Sequence, residues 1–194
     1  MLMSGFADPV IASQSAFRSV MDALARPGRV VTLNAHAEGP APLSRGTAAI
    51  ALTLFDHDTP VWIDTPDAAD AVEWLRFHTA APLVADPQDC TFAIVTDAAR
   101  LPAFERFNLG NHEYPDQSAT IIVQVDALQG GPALHLTGPG IQSQASIGPR
   151  PLPADMIERL AGNRSLFPRG IDLILVSGND VVALPRSVRA SGGQ

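Results

Sequence analysis

Apolar positions recur along this chain with two different spacings, one helical and one extended. In "SQSAFRSVMDALARPGR", Phe17, Val20, Met21 and Leu24 fall on one helical face, with Ser13 as N-cap and Pro27-Gly28 as the stop. The run "RVVTL" that follows is β-branched and reads as a first strand. "SRGTAAIALTLFDHD" is apolar nearly all round from Ala48 to Phe55, which predicts a buried helix. A short strand, "PVWI", leads to a helix with Thr65 as N-cap, Pro66 at its first position, and Ala68, Val72 and Leu75 at helical spacing up to "LRFHT".

"CTFAIVTD", "SATIIVQV" and "PALHLTG" are strand candidates, with Gly130-Gly131 marking a turn between the last two. "PADMIERLAGN" predicts a helix whose Met156, Ile157 and Leu160 share a face and which ends at Gly162-Asn163. "IDLILV" and "VVALP" flank Gly178-Asn179, a two-residue hairpin turn. Helices alternate with strands, so the class is α/β, and the two hairpin signals argue for a mixed sheet. The 194 residues, 46% of them hydrophobic, suffice for one core, so a single domain is expected over 1–194, with an ordered core of about 11–189 and a disordered tail "RASGGQ".

Charge narrows the partners. The formal net charge is −7 and the basic residues form no run, which argues against a nucleic-acid surface. All 13 basic residues are Arg, so no side chain can form a Schiff base with pyridoxal phosphate and no P-loop lysine exists. Cys90 is the single cysteine, which leaves no intramolecular disulfide. "MLMSGFADPV" carries no positive charge before its short apolar stretch and no segment reaches 18 uninterrupted apolar residues, so neither a signal peptide nor a membrane helix is indicated, and a soluble cytoplasmic protein without a membrane partner is expected.

Few residues are grouped as chemistry requires. His36, His57, His78, His112 and His135 show no helical ligand pair, "DHD" at 56–58 reads as a polar helix end and "NHEYPD" as a solvated loop; no metal is expected. No Gly-x-Ser-x-Gly elbow exists, and Cys90 at the head of an apolar strand reads as a buried, inert thiol. Arg76 and His78 in "LRFHT" offer an anion fork and a proton donor, or else Arg76 only complements its helix C-terminus. Asp172 and Arg186 meet at one end of the last hairpin if its strands pair, as an ion pair or as part of a site. "TGPGIQSQ" fits neither the Walker nor the dinucleotide pattern, and Pro139 removes a donor. What remains there is a tight turn in which Thr137, Gly138 and Gly140 can shape a pocket rim.

The motifs "FRSVMDALARPG", "DHDTPVW", "LRFHT", "SATIIVQV", "LTGPGI", "FPRGIDLIL" and "LPRSVR", in this order over about residues 11–189, resemble the PhnH family, a component of the carbon-phosphorus lyase core complex of phosphonate metabolism. Arg169 in "FPRG" and Pro139 in "GPG" depart from the family's usual residues without disturbing the likeness. The resemblance implies a three-layer α/β/α fold like the large domain of pyridoxal-phosphate-dependent transferases, with the cofactor lost. It implies a homodimer that joins the G, I and J components of that complex (PhnG, PhnI and PhnJ). The step implied is displacement of adenine from C1′ of ATP by a phosphonate, giving ribose 1-phosphonate 5-triphosphate. Cleavage of the C–P bond falls to PhnJ with its iron-sulfur cluster and S-adenosylmethionine, and Cys90 alone could not hold such a cluster.

No catalytic residue carries over. A noncatalytic, obligatory subunit, inactive by itself, is therefore the leading reading. The alternative is a direct binder of phosphonate or ATP, with Arg76, His78, Asp172 and Arg186 converging near Thr137, Gly138 and Gly140. A metal-dependent hydrolase has only the scattered histidines in its favour.

Overall fold

The first helix begins before its apolar stripe does. Asp8 accepts the N–H of Ile11 at 3.2 Å and Pro9 stands at the first turn, so α1 runs Pro9–Ala25. An aspartate N-cap followed by proline outcompetes the expected Ser13. The buried face also differs from expectation: Ala16, Val20 and Ala23 are inside, whereas Phe17 is 48% and Met21 39% exposed. Small residues let α1 approach the Ala-rich α2 (Arg45–Leu54), whose Gly46 to Ala51 are all buried as its apolar run predicts.

The computed structural model describes residues 3–65 and 67–193. Its strands are β1 (Val31–Thr32), β2 (Val61–Ile63), β3 (Phe92–Val95), β4 (Thr120–Gln124), β5 (Leu134–Thr137), β6 (Ala145–Ile147), β7 (Asp172–Ser177), β8 (Asp180–Leu184) and β9 (Arg189–Gly192). Two further helices are α3 (Ala69–Thr79) and α4 (Met156–Ser165). The N-cap of α3 is Ala68 rather than Thr65, and the expected Pro66 lies outside the described residues.

Six strands form a mixed sheet in the order β1-β8-β7-β4-β3-β2. β2, β3, β4 and β7 are parallel, β8 pairs antiparallel with β7, and β1 pairs antiparallel with β8 at that end. The sheet is buried on both faces, which is why its central strands read as continuous apolar runs. Ile94, Ile122, Ile174 and Val176 face α1, α2 and α3, while Ala93, Val95, Ile121, Val123, Leu173 and Leu175 face the other way.

The α/β class and the mixed sheet are thus present, but the second covering layer is not the expected row of helices. A three-stranded antiparallel sheet, β6-β5-β9, lies there with α4 and the short turns Ala98–Arg100 and Phe104–Arg106. β4 and β5 accordingly belong to different sheets, and Gly130-Gly131 does not join them as a hairpin. Gly131 instead packs so tightly that a Cβ would stand 2.5 Å from the Pro149 oxygen.

The expected disordered tail is also corrected, since Arg189–Gly192 pairs with β5 and offers edge hydrogen bonds that a patternless sequence does not announce. The helix stop at Gly162-Asn163 is overridden as well: α4 continues to Ser165, and buried Asn163 exchanges two hydrogen bonds with the backbone of Ile171, at 2.8 and 2.9 Å. The hairpin at Gly178-Asn179 forms as expected between β7 and β8.

Candidate functional site

Two residues apart on a helix, side chains point about 200° away from each other. Arg76 and His78 of α3 therefore serve different places. Arg76 is exposed at the wall of a cavity of about 480 Å³ that it shares with Trp62, Ile63, Asp64, Val72, Leu83, Val84 and Ala85. His78 is half-buried beneath the N-terminal segment, its Nε2 3.0 Å from the Met3 carbonyl oxygen, which also accepts from Trp74 Nε1 at 3.0 Å. Phe77 and Trp74 flank the imidazole with ring centroids at 5.0 and 4.8 Å. His78 clasps the chain start to α3.

Asp172 and Arg186 do meet. Arg186 Nε lies 3.2 Å from each Asp172 carboxylate oxygen, its Nη2 2.5 Å from Oδ2, and its backbone N–H donates to Oδ1 at 2.8 Å. Nη1 donates to the Pro115 carbonyl at 2.6 Å. These bonds occupy the fork with the chain's own groups and tie the start of β7, the end of β8 and the loop before β4 together. Arg169, close in sequence, forms no ion pair with Asp172 among the described residues. From Asp172 to the strand beside Arg76 the sheet crosses β4 and β3 to reach β2, about 14 Å at ordinary strand spacing.

The loop after β5 is a packing element. Thr137 is exposed at the strand end and pairs with Arg189. Gly138, at φ +142°, passes so near the next segment that a Cβ would lie 3.1 Å from the Ser187 oxygen. Gly140, at φ +82°, abuts the end of α1, where a Cβ would stand 2.2 Å from the Ala25 oxygen. Thr137, Gly138 and Arg186 are neighbours through residues 187–189, whereas Arg76 and His78 belong to the opposite covering layer.

A polar cluster at the C-terminal ends of the parallel strands escaped sequence reasoning. Gln124 Oε1 accepts from the Ser44 N–H at 2.6 Å and its Nε2 donates to Pro42 O at 2.9 Å. Asp64 accepts from the Thr96 N–H and hydroxyl, both at 2.9 Å, and from the Asp97 N–H at 3.3 Å. The available signal was a polar residue ending each apolar run, in "VWID" and "IIVQ". Such strand ends are where open α/β sheets bind ligands; here the groups bind one another and the start of α2.

Cys90 is buried against Pro87, and desolvation pushes its thiol up to about 12, leaving it protonated and unreactive. Among the described residues no three His, Cys, Asp or Glu side chains gather closely enough to hold a metal ion. No described helix is long and apolar enough to cross a membrane.

Fold and site together define a small α/β protein in which Asp64, Asp172 and Arg186 fasten its own strand ends, with a largely apolar cleft open to solvent beside Arg76. Residues 4–191 match the model of the family described as bacterial phosphonate metabolism protein (PhnH), and the chain belongs to that family. It is 45% identical over 185 residues to the alpha-D-ribose 1-methylphosphonate 5-triphosphate synthase subunit PhnH of Rhizobium meliloti (strain 1021), covering 95% of this chain and 92% of that one. It is 33% identical over 174 residues, 90% of this chain and 83% of the other, to the putative C-P lyase subunit protein HtxG of Stutzerimonas stutzeri.

Proposed function

We propose that this chain is an obligatory, noncatalytic subunit of the carbon-phosphorus lyase core complex, inactive alone, in the catabolism of organic phosphonates. There it supports transfer of an alkylphosphonate to C1′ of ATP with release of adenine. The observation that carries this reading is the relation, over nearly its whole length, to the Rhizobium meliloti subunit. The internal use of Arg186, Asp172, Gln124 and Asp64 supports it, because those groups are spent on the fold. Its partners are PhnG, PhnI and PhnJ and a second copy of itself, in the cytoplasm. The exposed Val10, Phe17 and Met21 along one side of α1 support contact between copies.

The fold is read as a pyridoxal-phosphate transferase large domain without its cofactor, supported by a mixed sheet covered on one face by three helices and by a sequence with no Lys. With one cysteine and no lysine, the chain works without a resident cofactor of its own.

Co-expression with the other components of the complex tests the reading. The chain is expected to co-purify stoichiometrically, and adenine release from ATP and methylphosphonate should need it and fail with it alone. Adenine release by the isolated chain, or full activity of a complex lacking it, would overturn the proposal. Exposure of the Arg76 guanidinium in a cavity favours the second reading, direct binding of phosphonate or ATP. Calorimetry of the isolated chain against both ligands decides it, and no heat at millimolar ligand removes it.

A further inference from the structure

β2 is an edge strand, and its backbone alternates between two neighbours. Toward β3, the Asp64 N–H donates to Ile94 O at 3.1 Å and the Phe92 N–H to Pro60 O at 3.2 Å. Val61 and Ile63 therefore aim their N–H and C=O groups out of the sheet. Residues 82–84 meet Val61: its N–H donates to Pro82 O at 2.8 Å, and the Val84 N–H donates to Val61 O at 2.9 Å. After Val84 the chain turns away toward the short turn Pro87–Asp89. Among the described residues, nothing pairs with the N–H or C=O of Ile63.

The 480 Å³ cavity opens at that point, between Ile63, Val84 and Ala85 on one side and Val72 and Arg76 of α3 on the other. Arg76 makes no ion pair among the described residues. Two residues past the end of the same strand, the Thr65 hydroxyl is buried and has no hydrogen-bond partner among the described residues.

We propose that this cleft is a docking slot for an extended peptide strand of a partner subunit, which continues the pairing begun by 82–84 and sets a carboxylate against Arg76. A strand supplies both an acceptor for the Ile63 N–H and a donor for its C=O. A fully ionised phosphonate offers only acceptors and would leave the Ile63 C=O without a donor. The apolar lining from Val72, Leu83 and Val84 suits a side chain of the incoming strand, and Arg76 selects for acidic sequence.

The proposal rests on the chain's being a subunit of a larger assembly. Amide exchange is measured on the chain alone and within the co-expressed complex, with Arg76→Glu and Ala85→Trp, both at solvent-exposed positions, as variants. At least tenfold slower exchange at Ile63 in the complex is expected. Each variant should lower co-purified partner at least tenfold with its melting temperature unchanged. A complex that forms with Ile63 exchange unaltered overturns the slot and leaves the subunit reading standing. No complex at all overturns both. Methylphosphonate alone protecting Ile63, with the effect abolished by Arg76→Glu, also overturns the slot and makes the cleft a small-anion site.

Discussion

Removing either partner of the Asp172–Arg186 pair separates a structural clasp from a ligand site. The side chains are only 15% (Arg186) and 20% (Asp172) exposed, so each charge lost leaves the other poorly solvated. Asp172→Asn keeps the shape and an acceptor for the Arg186 N–H but strands a guanidinium; Arg186→Met strands a carboxylate. A hydrogen bond to a charged group contributes about 1.5–3 kcal/mol, and breaking a fully buried pair costs about 3–5 kcal/mol. Residual solvent access lowers this, and each single variant is expected to lose about 2–3 kcal/mol. For a chain of this length that is a drop of about 5–10 °C in Tm. The double variant should lose less than the sum of the singles, with a coupling of about 1.5–2 kcal/mol. Urea unfolding followed by the fluorescence of Trp62 and Trp74 measures all four proteins. Singles within about 0.5 kcal/mol of the parent and no coupling would refute the reasoning, most sharply if the complex then lost activity.

Asn163→Ala removes both partners of the Ile171 backbone inside the fold and should cost about 2–4 kcal/mol in urea unfolding. Gly140→Ala is expected to lower stability by more than about 2 kcal/mol, since a left-handed backbone and a clash with Ala25 act together, while Gly162→Ala in α4 meets open space and should raise it by about 0.5–1 kcal/mol; thermal melts of the pair test both signs. For Cys90 the folded thiol, at about 12, lies above its ordinary value of 9.0, so the stability it contributes is whole below pH 9 and is lost as pH rises toward 12. Between about pH 8 and about pH 10 the parent should lose about 1.4 kcal/mol more than Cys90→Ala, and native protein should resist thiol reagents at the lower pH.

Arg76 and Asp172 show how far a linear reading reaches. Residue type alone marks both as chemistry-bearing, and the hairpin that joins Asp172 to Arg186 is legible because Gly178-Asn179 is a local turn signal. Whether those charges face a ligand or another part of the chain depends on strand order, which no local pattern encodes. The Gln124 and Asp64 contacts were missed for that reason: their partners lie 80 and 32 positions away.

Apolar runs and turn residues, which act over a few positions, settled in the sequence alone the α/β class, the buried α2, the core strands and the absence of any lysine chemistry. Tertiary packing decided the rest. It allotted β5 to a second sheet, drew "RASG" into β9 by offering an open edge, and turned α1 onto its alanines because close approach to α2 favours small side chains over Phe17 and Met21. It also set Arg76 and His78 on opposite sides of one helix, so that a single short motif became a chain clasp and one wall of an open slot. Such outcomes depend on which distant surfaces meet, and a residue's neighbours in sequence do not carry that information.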